Sequence, residues 1–311
     1  MKKKTMIRIS LLALITMLLA AAATAGFAES ETAVLPIDLS GGAPYKQTYK
    51  SNPESYEDPT ISVQFFKGKT DVPNQGKVFY FYALVQIQHA SQLRTAAADP
   101  ADFNRARWCP AKNMAKRVNA VLAVNGDFSN FHVQTESSKF CLRQGKIYRD
   151  TLAEKLDMLM IDEEGDFHVI PGGPELAGIS KEEIDGRKVI NAFQFGPALV
   201  LNGEPVADEY VTDPAHSPWG ANPDEHTARM CIGQIDRLSY FVLTCWDGMD
   251  LAQFRDFALS LVPSCRTLYV LDGGNSAQMI YLKSQVNLED TKNNARDIGD
   301  IIYFASADFS R

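Results

Sequence analysis

The chain has 311 residues, with 31 basic against 38 acidic side chains for a net charge of −7, and 45% of it is hydrophobic. That acidic balance excludes a nucleic-acid partner held by a basic surface, and the length is enough for one large domain with a proper core. The five cysteines, Cys109, Cys141, Cys231, Cys245 and Cys265, form no C-x-x-C pair, which excludes a zinc knuckle or a thioredoxin-type site.

The opening MKKKTMIRIS is basic, and the apolar run LLALITMLLAAAATA follows it, ending in small residues. This is the pattern of a secretory signal peptide over residues 1–28, with cleavage sites at Ala25 or Ala28. Leu11 to Ala25 is short for a retained membrane span, and no later stretch is long and apolar enough for one. Cleavage would remove four basic residues and take the net charge to −11. The mature protein is therefore expected outside the cytoplasm, free of the membrane. In that compartment at least one disulfide is expected among the five cysteines, with at least one thiol left over.

Residues 29–59 are polar and rich in Pro, Gly and Ser, which predicts an irregular lead-in. From 60 to 311 no break in composition and no repeat appears, so a single domain is expected there. Strand-like runs follow one another: TISVQFF (60–66), KVFYFYALVQIQH (77–89), AVLAV (120–124), LDMLMI (156–161), FHVI (167–170), PALVL (197–201), TARMCIG (227–233), LSYFVLTCW (238–246), TLYVL (267–271) and DIIYFAS (300–306). DEEGD and NG mark hairpins between some of them. Two helical patterns stand out. One runs from Pro110 to Asn119, and the other opens at Asp250 with Gln253 at a capping-box spacing and stops at Pro263.

These elements predict an α/β (mixed α+β) fold: a mixed sheet with helices packed on it and the site at the carboxyl ends of strands. LSYFVLTCW, the second helix and TLYVL read as a strand, crossover and parallel strand. Asp272 in VLDGGNSAQM then lies just past the end of a buried strand, where open α/β sheets keep their ligands. Asp127 in AVNGDF has the same placement. A strand-end acid reads either as a turn or as a site, and two of matching context favour a site. Asp247 in CWDG is a third such acid, with Trp246 beside it as an aromatic face of the sort sugar sites use. Arg229, inside an apolar strand, and Arg296, before the last one, read either as surface charges or as anion clamps. His132 and His226 read as cleft-lining or as plain surface residues.

The chain carries no G-x-S-x-G elbow, P-loop, G-x-G-x-x-G or H-E-x-x-H, and its histidines (89, 132, 168, 216, 226) have no metal spacing. What remains is carboxylates, amides and arginines, suited either to hydrolysis of a polar, anionic substrate or to holding a hard cation such as calcium.

NGDF (125–128), FGPALVLNGE (195–204), TARMCIG (227–233), VLTCWDG, the helix after it, LDGGNSAQM and NARDIGDIIYF together resemble the ordered motif series of the phosphodiester glycosidase family, over about 120–306. The family usually reads N-G-G-F-F where this chain has NGDFS, and D-G-G-G-S-S-T-M where it has DGGNSAQM. Asp127 thus stands where glycine is common, and Asn275, Ala277 and Gln278 replace Gly, Ser and Thr. Asp272, Gly273, Gly274 and Ser276 follow the pattern.

The resemblance implies an exported bacterial hydrolase that cleaves a sugar 1-phosphodiester in a cell-surface or extracellular glycan, with no cofactor. Asp272, Asp127 and Arg229 would be catalytic. Asn125, Asp247, Gly273, Gly274, Asn275, Ser276 and Arg296 would bind substrate, the arginines at the phosphate. Two other readings stay open at this point: a carbohydrate-binding protein of the cell surface that has lost catalysis, and a calcium-stabilised structural module.

Overall fold

The computed structural model describes residues 50–104, 107–126, 140–213, 216, 227–246, 248–287 and 295–307. Each of the ten strand-like runs forms a strand, sorted among three sheets. The largest sheet has nine strands in the order Lys50–Ser51, Ser55–Glu57, Ile61–Val72, Gly76–Ile87, Ser239–Trp246, Arg229–Asp236, Thr267–Leu271, Ala198–Leu201 and Glu204–Pro205. A five-stranded sheet holds Leu122–Asn125 between Met279–Tyr281 and Asp300–Phe304, with Leu93–Ala97 outside. The third, centred on Met158–Asp162 and Arg187–Gln194, has Phe167–Ile170 at its edge.

Three expectations are corrected. The sheets are antiparallel at every ladder among the described residues, so the core is not mixed. Ser239–Trp246 and Thr267–Leu271 do run parallel and are joined by the helix Leu251–Leu261, but Arg229–Asp236 lies between them, antiparallel to both. The crossover is therefore present, and the inserted strand satisfies the backbone edges that a parallel pair would have joined directly. Helices are also few and short, with Leu251–Leu261 at 11 residues the longest among the described residues. The lead-in ends earlier than residue 59: Lys50–Ser51 and Ser55–Glu57 extend the large sheet, with Tyr56 fully buried. Asp58 ends this lead by accepting from the Thr60 and Ile61 amides and the Thr60 hydroxyl. Residues 29–49 and the signal segment lie outside the described residues.

Strict alternation along the central strands gives the large sheet two apolar faces. One face, with Met230, Ile232, Val242, Tyr269 and Leu271, packs on Leu122, Val124 and Ile302 of the five-stranded sheet and on Leu159 and Phe193 of the third. The other, with Cys231, Phe241, Leu243, Cys245, Leu268 and Val270, is covered by Leu251, Phe254 and Ala258 of the long helix. Fully burying one such side chain is worth about 1.5–3 kcal/mol, so the two faces hold the sheet from both sides. The helix starts where expected: the Asp250 side chain accepts from the Gln253 amide at 2.8 Å, and the Gln253 side chain answers at the Asp250 amide.

None of the five cysteines is joined in a disulfide. Cys231 stands opposite Leu243 and Cys245 two residues farther on, a diagonal pair on one face. Such a diagonal leaves about 7–8 Å between residues, more than a disulfide spans without backbone movement. Burial, and then the neighbouring Cys265 and Cys245, push the Cys231 thiol well up, and burial pushes Cys265 up to about 12.

Candidate functional site

At one end of the large sheet, the end of Thr267–Leu271, the start of Arg229–Asp236 and the end of Ser239–Trp246 lie side by side. Met230 pairs with Leu271, so the next position outward sets Arg229 opposite Asp272. Cys231, Cys245 and Val270 point to the helix-covered face, and by alternation Arg229 and Asp272 leave the sheet on that face too. Directly opposed residues have Cβ atoms about 4.5–5.5 Å apart. Arg229 is 4% exposed and Asp272 6%, so each charge stands where a lone one would be costly. The Arg229 Nε also donates to the Met249 carbonyl at 3.0 Å, which fixes the guanidinium beneath the helix entry.

The loop after Asp272 is shaped by its glycines. A Cβ on Gly273 would lie 2.5 Å from the Ala228 carbonyl oxygen, so no larger residue fits there without a shift. Gly274 takes φ +55 and donates its amide to the same carbonyl at 2.8 Å. A single 3-10 turn, Gly274–Ser276, follows, leaving Asn275 exposed and Ser276 fully buried.

Asn125 ties this loop to the five-stranded sheet. Its Nδ2 donates to the Asp272 carbonyl at 2.9 Å, and its Oδ1 accepts from the Gln278 amide at 3.1 Å. Both ends of the loop are thus held by one fully buried amide. Arg296, exposed, donates its backbone amide to the Asn275 carbonyl at 3.0 Å and accepts from the Gln278 side chain at 2.8 Å. Asn125, Arg229, Asp272, Gly273, Gly274, Asn275, Ser276 and Arg296 are therefore brought together. Asp127, Asp247, His132 and His226 lie outside the described residues.

Two residues behind the site are absent from the sequence reading. Arg143 and Asp300 are both fully buried and paired at 2.9 Å, with the Arg143 guanidinium stacked on Phe193 at 3.8 Å. Asp300 fills the space over Gly126, where a Cβ would collide with its carboxylate. The signal was present in CLRQG, an arginine directly after an apolar pair, but the partner lies 157 positions away.

A cavity of about 530 Å³ lies elsewhere, lined by His168, Ile170, Glu183, Asp185 and Thr267 among others. Thr267 begins the strand that Asp272 follows, so the cavity is at the opposite end, about 16 Å away along the chain. None of the residues gathered at the Asp272 corner lines it. Among the described residues no group of three or more His, Cys, Asp or Glu side chains could hold a metal ion.

The family model for phosphodiester glycosidases matches residues 118–305, a span that contains every gathered site residue. The chain belongs to the phosphodiester glycosidase family. As a member of that family it is similar in fold to the catalytic domain of zebrafish N-acetylglucosamine-1-phosphodiester alpha-N-acetylglucosaminidase, in a form auto-inhibited by its pro-peptide. That match has a TM-score of 0.63 at 14% identity, covering 90% of this chain and all of the zebrafish one. A hypothetical protein from Synechocystis matches with a TM-score of 0.55 at 12% identity, over 80% of this chain and 63% of its own. No protein of curated function matches the sequence. No helix among the described residues is long and apolar enough to cross a membrane.

Proposed function

We propose that this phosphodiester glycosidase family member is an exported hydrolase. It cleaves a sugar 1-phosphodiester of a cell-surface or extracellular glycan, with water entering at the anomeric carbon and a phosphomonoester leaving intact. The observation that carries this reading is the buried Arg229–Asp272 register pair at the lip of a glycine-shaped loop. A phosphomonoester is a weakly basic leaving group and departs with little help from an acid. The demand falls instead on binding its charge and on the oxocarbenium-like sugar.

Arg229, held at Met249, supplies the first, with the exposed Arg296 at the rim. Asp272 supplies the second, either by activating water or by its charge. Asp127 and Asp247 are proposed as neighbours of that centre from their place in the sequence. Gly273 and Gly274 let the backbone approach the substrate, and Asn275 and Ser276 offer polar groups to sugar hydroxyls. Asn125 acts as a positioning residue, since its amide already holds Asp272 and Gln278.

The departures from the family motif are compatible with activity. Ala277 and Gln278 are 1% exposed and face inward, and Gln278 spends its side chain on the Arg296 carbonyl. They pack the loop, while Asp272 and both glycines are kept. Incubating the purified protein with methyl phosphodiesters of several sugars, N-acetylglucosamine first, tests the proposal. Free sugar and methyl phosphate in equal amounts support it, and no turnover of any of them refutes it.

A further inference from the structure

At the same corner two polar groups are buried without a partner among the described residues, Trp246 on the other face of the sheet and Ser276 in the turn after Gly274. Trp246 is 5% exposed and Ser276 fully buried, yet the indole Nε1 and the Ser276 hydroxyl make no hydrogen bond among the described residues. A buried donor left unpaired forfeits the hydration it lost on folding, so native chains rarely keep one without a use.

Their positions in the register suggest that use. Arg229 pairs with Cys245, so Ala228 stands opposite Trp246, and the Arg229–Asp272 register sets Ala228 opposite Gly273. The outermost row therefore runs Phe79, Trp246, Ala228, Gly273. Adjacent strands lie about 4.8 Å apart, which puts the Trp246 backbone roughly 10 Å from the loop, within the span of one sugar unit. Beside the indole the row carries only a methyl group and then no side chain at all. Trp246 and Ala228 belong to the face toward the five-stranded sheet, whereas Arg229 and Asp272 leave by the face under the helix. The strand ends thus separate a charged side from an uncharged one.

An indole N–H can only donate, and it carries an apolar ring. A ligand suited to it offers a neutral acceptor oxygen on an apolar frame, as a sugar hydroxyl or an acylamino carbonyl does. We infer that Trp246, together with Ser276, forms the sugar half of the site, with the substrate straddling the strand ends and its phosphate on the Arg229 side. This rests on the glycosidase reading and adds to it a residue that sets sugar specificity. In the sequence, CWDG marks Trp246 as an aromatic face beside an acid, and the register adds its unpaired indole N–H and its place in the row.

The test follows the three tryptophan indoles, Trp108, Trp219 and Trp246, by nitrogen-15 NMR while inorganic phosphate or a panel of sugar 1-phosphates is added. Trp108→Phe and Trp219→Phe assign the third peak even if Trp246→Phe does not fold. The Trp246 N–H peak should shift with a sugar 1-phosphate and stay in place with phosphate alone. Trp246→Phe should weaken sugar 1-phosphate binding by roughly 10-fold, the loss expected for one hydrogen bond, and leave phosphate binding unchanged.

Sugar 1-phosphate binding that neither moves the peak nor responds to Trp246→Phe overturns the inference and leaves the glycosidase reading standing. The inference is overturned in the same way if phosphate binds and no sugar 1-phosphate binds more tightly than it. If the wild-type protein binds neither phosphate nor any member of the panel, the glycosidase reading falls and the sugar subsite falls with it.

Discussion

Two regions of this protein concentrate carboxylates and cations, and they differ in what satisfies them. Around the DEEGD turn, every Asp162 oxygen is used by the chain itself. Oδ1 accepts from the Glu164 and Asp166 amides at 2.9 Å, and Oδ2 from His168 at 2.9 Å and Arg187 at 3.3 Å. Arg187 is partly exposed and reaches Asp166 as well. At the Asp272 corner Arg229 is buried along with the acid, the loop backbone is braced by Asn125, and two neighbouring donors remain unpaired among the described residues. A network that closes on itself holds a hairpin. A corner with buried charge and unsatisfied donors is what the proposed site needs.

Breaking each region in turn sharpens that contrast. The largest effect is expected at Asp272→Asn. The amide keeps the shape and loses the charge, and turnover should drop roughly 100- to 10,000-fold while the melting temperature stays near that of the parent protein. A variant with parental turnover would move the catalytic role to Asp127 or Asp247, and an unfolded one would make Asp272 structural.

Next comes the buried pair behind the site. Arg143→Met strands the Asp300 carboxylate and should lower stability by about 3–5 kcal/mol, read as a shift in the urea midpoint. A shift below about 1 kcal/mol would show that the pair contributes little.

Asp162→Ala breaks the self-contained network, with an expected loss of about 1–3 kcal/mol and catalytic activity unchanged. Its pH dependence adds a sign. Burial pushes the Asp162 carboxyl up, but hydrogen bonds from His168, the Asp166 amide and Arg187 outweigh it and hold the group below its ordinary value. A carboxyl depressed in the folded state contributes stability that is present above the unfolded value of about 4 and fades as pH falls through the folded one. Urea midpoints from about pH 6 down to about pH 3 should therefore fall more steeply for the parent than for Asp162→Asn. Parallel curves would contradict the assignment.

The smallest effect concerns the thiols. All five should titrate after denaturation without reductant, and in the native state Cys109, the one that is not fully buried, should react first. Fewer than five would mean that a disulfide forms in the exported protein.

The strands were legible because they are long apolar runs with period-two burial, and the helix at 251–261 because its capping box is local. Sheet membership was not. Whether Arg229–Asp236 enters beside its sequence neighbour or between two later strands is decided by long-range pairing, which leaves no local trace. The site was legible where it sits on one short motif, DGGNSA, and where the family pattern supplied order. Arg143 with Asp300, and the opposition of Arg229 to Asp272, needed the register. The bracing use of the Asn125 amide also needed it, since an amide in NGDF reads equally well as a ligand group or as a brace. For Cys231 and Cys245 the obstacle to a disulfide is geometric, and spacing in sequence says nothing of the diagonal between them.

The central claim is that a phosphate held by arginine leaves intact while the sugar takes up water. Hydrolysis of a sugar 1-phosphodiester in oxygen-18 water decides it, with products analysed quickly because a free reducing sugar slowly exchanges its anomeric oxygen. The label should appear in the released sugar at that oxygen, and the phosphomonoester should carry none. Label in the phosphate would mean attack at phosphorus, and the assignment of Arg229 and Asp272 to a glycosidase site would be wrong.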